Sequence, residues 1–561
     1  MAVGSWASSR ACEANRSGRQ AMNAIPPEPS AEDQQIVNER PADTGAIGPS
    51  VQPNGRTTMP DRAAGSPLRV LKGEARSADW DCGDGPESGA RLVITGAEQL
   101  TLGLLALLIV VGLFVQLRYT LVASIAFVTA LYLGTGGYKI WLMAWGEFGS
   151  ARYSPPPPAE GDDLPVYTVL IPLYRESRIL PVLVDRLAQL DYPADRLQVL
   201  LLIEADDDET QLAAQELELP RGMQFVTVPL GQPRTKPRAL NVGLQFAQGD
   251  YVVVYDAEDR PEPDQLRKAV AAFRRLPDDV VCLQARLNFY NRYQSLLARL
   301  FAVDYATWYD QFLPGLTDSG LARPGVFVPL GGTSNHFRIA SLRALSGWDP
   351  YNVTEDCDLG TRLGRGGLRT GLLDSVTWEE AVPRVRPWIK QRSRWVKGYL
   401  QTYLVHMRRP AQLWRELGAR GFLDFQLLVG ANSLILLLNP LMWLLTAAYV
   451  ATSGSSRAFV ESLFPTWLYY PALLSFVIGN FVLLYSWIFV CVRRGYAELT
   501  RVALLAPLYW VLLSVGAWVG LISLIRNPFY WAKTEHGVSL TRDSTAPPSP
   551  ATVAARAEQV V

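Results

Sequence analysis

Cysteine is scarce in this chain of 561 residues: Cys12, Cys82, Cys282, Cys357 and Cys491 are scattered without CxxC spacing. Neither a disulfide scaffold nor a cysteine zinc site is expected. Histidine is scarcer still, with His336, His406 and His536 far apart. Charged residues make up 19%, and 53 Lys+Arg balance 53 Asp+Glu, so the basic excess of a nucleic-acid binder is missing. The opening MAVGSWASSRACEANRSGRQ lacks an apolar stretch long enough for a signal peptide. What is abundant is apolar and aromatic: 49% hydrophobic residues, with 16 Trp and 23 Tyr, distributed very unevenly along the chain.

Residues 1–95 are rich in Ala, Gly, Pro, Ser, Asp, Glu and Arg with no sustained apolar period, and are expected to be a disordered tail. Two apolar runs, LTLGLLALLIVVGLFV and TLVASIAFVTALYLGTGGYKIWLMAW, then follow, interrupted by Arg118. About 20 apolar residues cross a bilayer, so 98–146 is expected to be a transmembrane hairpin. After the Pro-rich hinge ARYSPPPPAEGDDLP, residues 160–410 alternate short apolar runs (VYTVLIPL, LQVLLLIEA, FVTVPL, YVVVYDAED, VVCLQARL) with amphipathic stretches. That alternation predicts an α/β domain on a mainly parallel sheet, with ligands at the carboxyl ends of its strands. Residues 411–527 hold interface helices and about three more spans, and 528–561 a short motif and a tail.

Arg408, Arg409, Arg415 and Arg420 precede the first of these later spans, while Arg493, Arg494 and Arg501 lie between the second and third. Positive charge stays inside, so the α/β domain is expected on the cytoplasmic side; the high Ala, Gly, Arg and Pro usage suits a bacterium, and its inner membrane is the expected location. An odd number of spans would send Arg526 and Lys533 outside, and an interfacial helix at 495–506 does not repair that parity. The side of the C-terminus stays open. About 35 residues follow the last span in this sequence, so no further regulatory domain is expected among them.

Carboxylates collect where strands end. YVVVYDAEDRPEP presents Asp256, Glu258 and Asp259; two of them, two residues apart, suit a hard cation bridging a diphosphate, and equally a solvated loop with an Asp helix cap. LLIEADDDET offers Glu204, Asp206, Asp207 and Asp208, as donor-binding groups or as a capping cluster. Between them GQPRTKPRALNVGL puts Arg234, Lys236 and Arg238 at a helix start, a favourable place for phosphate. In GWDPYNVTEDCDLG, Thr354, Glu355 and Asp356 open a helix, with Asp356 the candidate base. In PWIKQRSRWVKGYLQTY, Gln391, Arg394 and Trp395 share one helix face, with Arg392 beside them. An interfacial helix with headgroup-level Trp and Arg is the competing reading.

The ordered series acidic strand end, DAE (Asp256, Glu258), TED (Thr354 to Asp356) and QRSRW (Gln391 to Trp395), followed by spans, resembles the D, DxD, TED, QxxRW series of processive glycosyltransferase family 2, which includes cellulose, curdlan and hyaluronan synthases. KPRALN, DAEDRPEPDQL, GGTSNHF and PFYWAKTEHG look like its bacterial cellulose-synthase-like branch, to which curdlan-type synthases and the inner-membrane protein of a phage-receptor export system belong. The resemblance implies a GT-A (Rossmann-like) domain between transmembrane helices, a UDP-sugar donor with glucose favoured, Mg2+ or Mn2+, and inversion at the anomeric carbon. It also implies roles: Glu204, Asp206, Asp207, Lys236 and Asp256 for the nucleotide sugar; Asp256 and Glu258 for the metal; Asp356, with Glu355, for catalysis; Gln391, Arg392, Arg394 and Trp395 for diphosphate and acceptor. Glu258 stands where the family has Asp, which leaves Glu258 and Asp259 both open as ligands.

The product implied is a β-linked polysaccharide that passes between the spans, where Trp443, Trp467, Tyr469, Tyr470 and Trp487 either stack on the glycan or anchor the helices at the interface. Partners on this reading are a UDP-sugar, a glycan acceptor, the bilayer and secretion proteins. Two alternatives compete: single-sugar transfer to a lipid-linked or other membrane acceptor, and a non-catalytic export component.

Overall fold

The computed structural model describes residues 71–72, 89–150, 155–161, 163–318, 320–323 and 325–530. Most of the tail expected at 1–95, and all but the first three residues of the motif and tail expected at 528–561, lie outside them. Within the tail region, Leu71–Lys72 pairs in parallel with the strand at 223–228, and Ala90 is fully buried, its N–H donating to Asp349 Oδ2 at 2.6 Å. Residues 89–95 thus belong to the folded part.

Helices α1 (Gly96–Val115) and α2 (Leu117–Ser150) form the first pair. Thr95 caps α1 in a reciprocal capping box with Glu98. Strands β1 (Tyr167–Leu173), β2 (Leu197–Glu204), β3 (Met223–Val228), β4 (Tyr251–Val254), β5 (Val280–Phe289), β6 (Asn335–Arg338) and β7 (Arg369–Glu379) build one sheet in the order β3-β2-β1-β4-β6-β5-β7. The first four in that order are parallel and buried on both faces, as their near-continuous Val/Leu/Ile runs require. The main sheet is mostly parallel, as expected, with one reversed strand inside it. Strand β6 runs antiparallel to both β4 and β5, a four-residue segment, NHFR, too short for its alternation to register as a strand.

Four helices matter for the site: α3 (Lys236–Phe246), α4 (Leu296–Thr307), α5 (Glu355–Arg365) and α6 (Val385–Met407). Beyond them, Pro410–Ala451 and Thr466–Arg493 are long and apolar enough to cross a membrane, as are α1, α2 and α7 (Ala506–Arg526). Gly418, at φ 70°, breaks the first of these near its start, so 410–417 turns away as a separate amphipathic piece.

Helix α7 packs along α6, and the two run in the same direction. Tyr509 meets Trp388 and Arg392 near one end; a Cβ on Gly520 would stand 2.6 Å from the Ser393 carbonyl oxygen. At the other end Lys397 Nζ donates to the Tyr530 carbonyl at 2.8 Å and Gln401 Nε2 to the Pro528 carbonyl at 3.1 Å. Both ends of α7 therefore rest on one helix of the α/β domain, while Leu508, Val515, Ile522 and Ile525 remain exposed along its other side.

Candidate active site

Strands β1, β2 and β4 end on the same edge of the sheet, and a cavity of about 2450 Å3 opens there and continues between the membrane-capable helices. Lys236, Asp256, Glu258, Glu355, Asp356, Gln391, Arg392, Arg394 and Trp395 all line it. Residues more than 150 positions apart are thus brought to one space.

Lys236 starts α3 with Pro237 behind it, the favoured place for a proline. Its ammonium donates to Asp256 Oδ1 at 2.5 Å and to the Gly332 carbonyl at 2.7 Å. Burial opposes its charge, but Asp256, Glu355 and Asp259 outweigh burial and raise its pKa. Asp259 is turned into the protein: its Oδ2 accepts the Asp256 N–H at 2.8 Å and the Thr333 hydroxyl. It shapes the loop, and Glu258 is the second carboxylate that reaches the cavity. Sequence reading missed Glu379, at the end of β7, which also lines the cavity. Burial first, then the charges of Asp259, Glu258 and Asp256, hold its carboxyl well above the usual range. The pair of acids in VTWEE was the available signal.

Among the described residues no three His, Cys, Asp or Glu side chains form a ready-made metal cage. The oxygen donors Asp256 and Glu258 nonetheless fit a hard divalent cation that takes its remaining ligands from a diphosphate and water. Burial first, and then the crowding of acids, raises Glu379 and Asp259, whose buried Oδ1 has no hydrogen-bond partner; a cation beside them offsets that crowding.

The acidic end of β2 divides. Glu204 lines the cavity and is held by Arg238 Nη2 at 2.7 Å; burial pushes its carboxyl up to about 7 against that guanidinium. Asp206 pairs with Arg234 at 2.5 Å. Asp207 caps the helix at 208–215, accepting the Thr210 N–H at 3.3 Å, and accepts the Arg175 N–H. Neither Asp206 nor Asp207 lines the cavity.

Glu355 and Asp356 open α5. Burial raises both carboxyls, Asp356 to about 6; Glu355 is raised further by the charge of Asp356, while Lys236 and Arg394 pull against both shifts. Asp356 Oδ1 also accepts the Cys357 N–H at 2.7 Å, so it is the better anion of the pair. Its loop is set by α6: Thr402 Oγ1 accepts from Asn352 Nδ2 at 2.9 Å, and Gln401 Oε1 accepts the Val353 N–H at 3.2 Å. A Cβ on Gly398 would stand 2.4 Å from Thr354 Oγ1, so only glycine lets α6 approach this closely.

On α6, Arg394 lies in the field of Glu355, Asp256, Asp356 and Glu258; burial nevertheless lowers its pKa. The buried Gln391 Oε1 has no hydrogen-bond partner and lines the cavity, a polar atom suited to a ligand hydroxyl. Arg392 lies over both the Phe301 and Trp395 rings, 4.2 Å from each centroid, and donates to Asp304 Oδ2 at 3.2 Å and Tyr509 Oη at 2.9 Å. Trp395 stacks on Tyr305 with centroids 6.1 Å apart. Further along, Trp443, Tyr469 and Trp487 line the cavity, whereas Trp467 and Tyr470 are exposed on the outside.

Residues 165–398 match the family model described as glycosyltransferase like family 2. The chain is 27% identical over 270 residues to probable glucomannan 4-beta-mannosyltransferase 1 of Arabidopsis thaliana, covering 46% of this chain and 45% of that one. It is 27% identical over 402 residues to beta-monoglucosyldiacylglycerol synthase of Synechocystis, covering 65% and 80% respectively. The chain spans about half the length of several curated relatives it matches. Among solved structures it is similar to a mannosyltransferase from Pyrobaculum calidifontis in complex with GDP-Man and Mn2+, at 20% identity and TM-score 0.46, covering 72% of this chain and 99% of that one. The α/β domain at 165–398 is therefore similar to glycosyltransferases of family 2, plant mannosyltransferases and a bacterial lipid glucosyltransferase among them.

Proposed function

We propose that the protein is a membrane-embedded inverting glycosyltransferase that adds sugar from a nucleotide diphosphate donor, UDP-glucose first among candidates, to a growing β-linked glycan. The observation that carries this reading is the convergence of Asp356, the Asp256/Glu258 pair and the QRSRW face on one cavity that continues between the apolar helices.

In the proposed mechanism Asp356 accepts the proton of the acceptor hydroxyl, and that oxygen attacks C1 from the face opposite the diphosphate. The C1–oxygen bond to phosphate breaks and its electron pair leaves with the nucleotide. Arg394 and Lys236 meet the charge that develops on the departing oxygens. Asp256 and Glu258 would hold Mg2+ or Mn2+, which supplies Lewis-acid stabilisation of the diphosphate. Gln391 and the Trp395 ring orient the acceptor.

The test is nucleotide release from membrane vesicles given UDP-glucose, other UDP-sugars or GDP-mannose, with product length measured alongside. A product that lengthens supports the polymerase; GDP-mannose belongs in the panel because the plant relatives are named mannosyltransferases. Chelation with EDTA is expected to reduce release by at least about 10²-fold, with recovery on adding Mg2+ or Mn2+; full activity in EDTA would refute the assignment to Asp256 and Glu258. Transfer of one sugar to a diacylglycerol is the second reading, favoured by the 80% coverage of the Synechocystis enzyme; a short, lipid-bound product decides for it.

Helix α7 bears on the parity left open by the sequence. Because both its ends rest on α6, we place it in the membrane interface with its exposed apolar stripe toward lipid, leaving four crossings. A fluorescent protein fused after Tyr530 is then expected to glow on the same side as the catalytic domain, and a periplasmic reporter at that point to stay inactive. The reverse pattern would make α7 a span.

A further inference from the structure

The face of α2 that lines the cavity carries Thr129, Tyr132, Thr135 and Lys139, spaced by three or four residues. A lysine on an otherwise apolar helix of this kind demands a partner or a ligand. Among the described residues, Lys139 Nζ has one hydrogen bond, a long one of 3.4 Å to Asn432 Oδ1. The carboxylate whose charge acts on it is Asp304.

Asp304 stands on α4 next to Tyr305, the ring on which Trp395 stacks. Its Oδ2 is used twice, by Arg392 at 3.2 Å and by the Tyr509 hydroxyl at 2.9 Å. Both Asp304 and Lys139 line the same cavity as the Tyr305–Trp395 pair. The space is therefore bounded by stacked aromatic rings, an ammonium with donor capacity to spare and a carboxylate that accepts. A flat ring surface with a charged donor and acceptor beside it suits a neutral sugar, whose axial hydrogens lie on the rings while its hydroxyls bond to the charges.

We propose that Lys139 and Asp304 read the hydroxyls of the acceptor sugar seated on Trp395, and so determine which acceptor ring is accepted. This rests on the transferase reading above. Asn432 holds Lys139 in place, and Arg392 and Tyr509 hold Asp304, so the subsite joins the membrane helices to the catalytic domain. Its ligand class is a neutral β-linked hexose chain.

The experiment measures binding without requiring turnover. The full chain in lipid nanodiscs is titrated with cellotetraose and with mannotetraose while tryptophan fluorescence is followed. At least one tetraose is expected to bind saturably to the wild type, and K139M to weaken it about tenfold or more. D304N, whose amide oxygen still accepts from Arg392 and Tyr509, is expected to weaken it similarly with little change in thermal midpoint, and K139R to recover much of the affinity. Binding to K139M within twofold of wild type, or no saturable response from the wild type, overturns the proposal. Release of nucleotide from UDP-glucose, the other UDP-sugars and GDP-mannose by the same preparations judges the transferase reading separately. Tetraose binding that depends on Lys139 without donor turnover would keep the subsite and refute that reading.

Discussion

Asp356→Asn is expected to lower sugar transfer by about 10²- to 10⁴-fold, the usual contribution of a positioned base, while making the protein more stable at neutral pH. The two effects have one cause. Burial raises the Asp356 carboxyl to about 6, whereas in the unfolded chain an ordinary aspartate ionises near about 4. Below about pH 4 the group is protonated in both states and its contribution to stability is fully present. Between about pH 4 and 6 the unfolded chain releases the proton first, so stability falls as pH rises, until the folded carboxyl ionises as well. An amide has no such dependence. The thermal midpoint of D356N relative to wild type should therefore climb from pH 4 to pH 7, by a few degrees, as transfer stays near zero. A variant that keeps more than a tenth of the transfer rate would remove Asp356 from the role of base; one equally stable or less stable at pH 7 would refute the raised carboxyl.

Arg394→Ala is the second large effect. Loss of a guanidinium from the path of a departing diphosphate is expected to reduce transfer about 10²- to 10³-fold. A second consequence separates this role from a structural one. Arg394 now pulls the carboxyls of both Asp356 and Glu355 down against burial; without it both rise further. The acidic limb of the rate profile should move to higher pH in R394A. Arg394→Lys keeps the charge without the planar fork, so it should restore the position of that limb more fully than the rate. A profile unmoved in R394A would place the guanidinium away from the base.

The prominence of α6 in both predictions has a structural source. Its 385–407 stretch carries Gln391, Arg394 and Trp395 on the cavity side, packs through Gly398 on Thr354, and carries the α7 helix through Arg392, Lys397 and Gln401. One helix therefore registers the proposed base, the proposed acceptor platform and the apolar helices against each other. Any change in its axis moves all three together.

Much of this was legible along the chain. The apolar runs marked every membrane-capable helix, because length and hydropathy are local properties. Strands β1 to β5 were legible because segments buried on both faces must be apolar throughout. Asp256, Glu355, Asp356 and the QRSRW residues were legible through the ordered series of motifs they form, since each motif alone also fits a solvated loop, a helix cap or an interfacial helix. Strand β6 was not, being four residues long, nor was Glu379, whose one local mark, the acid pair in VTWEE, fits a solvated strand end equally well.

The tertiary structure decided what local pattern leaves degenerate. Asp206, Asp207 and Glu258 are all acids following strands, yet a salt bridge takes the first, a helix cap the second, and the cavity receives the third. Trp443 and Trp467 both lie among apolar residues, but only the first faces the cavity. Helix α7 has the length and hydropathy of a span, and only its partners on α6 show where its ends stand. Composition determines what a segment can bury or carry; which neighbour it meets depends on contacts between residues far apart in sequence, and those exist only once the chain has folded.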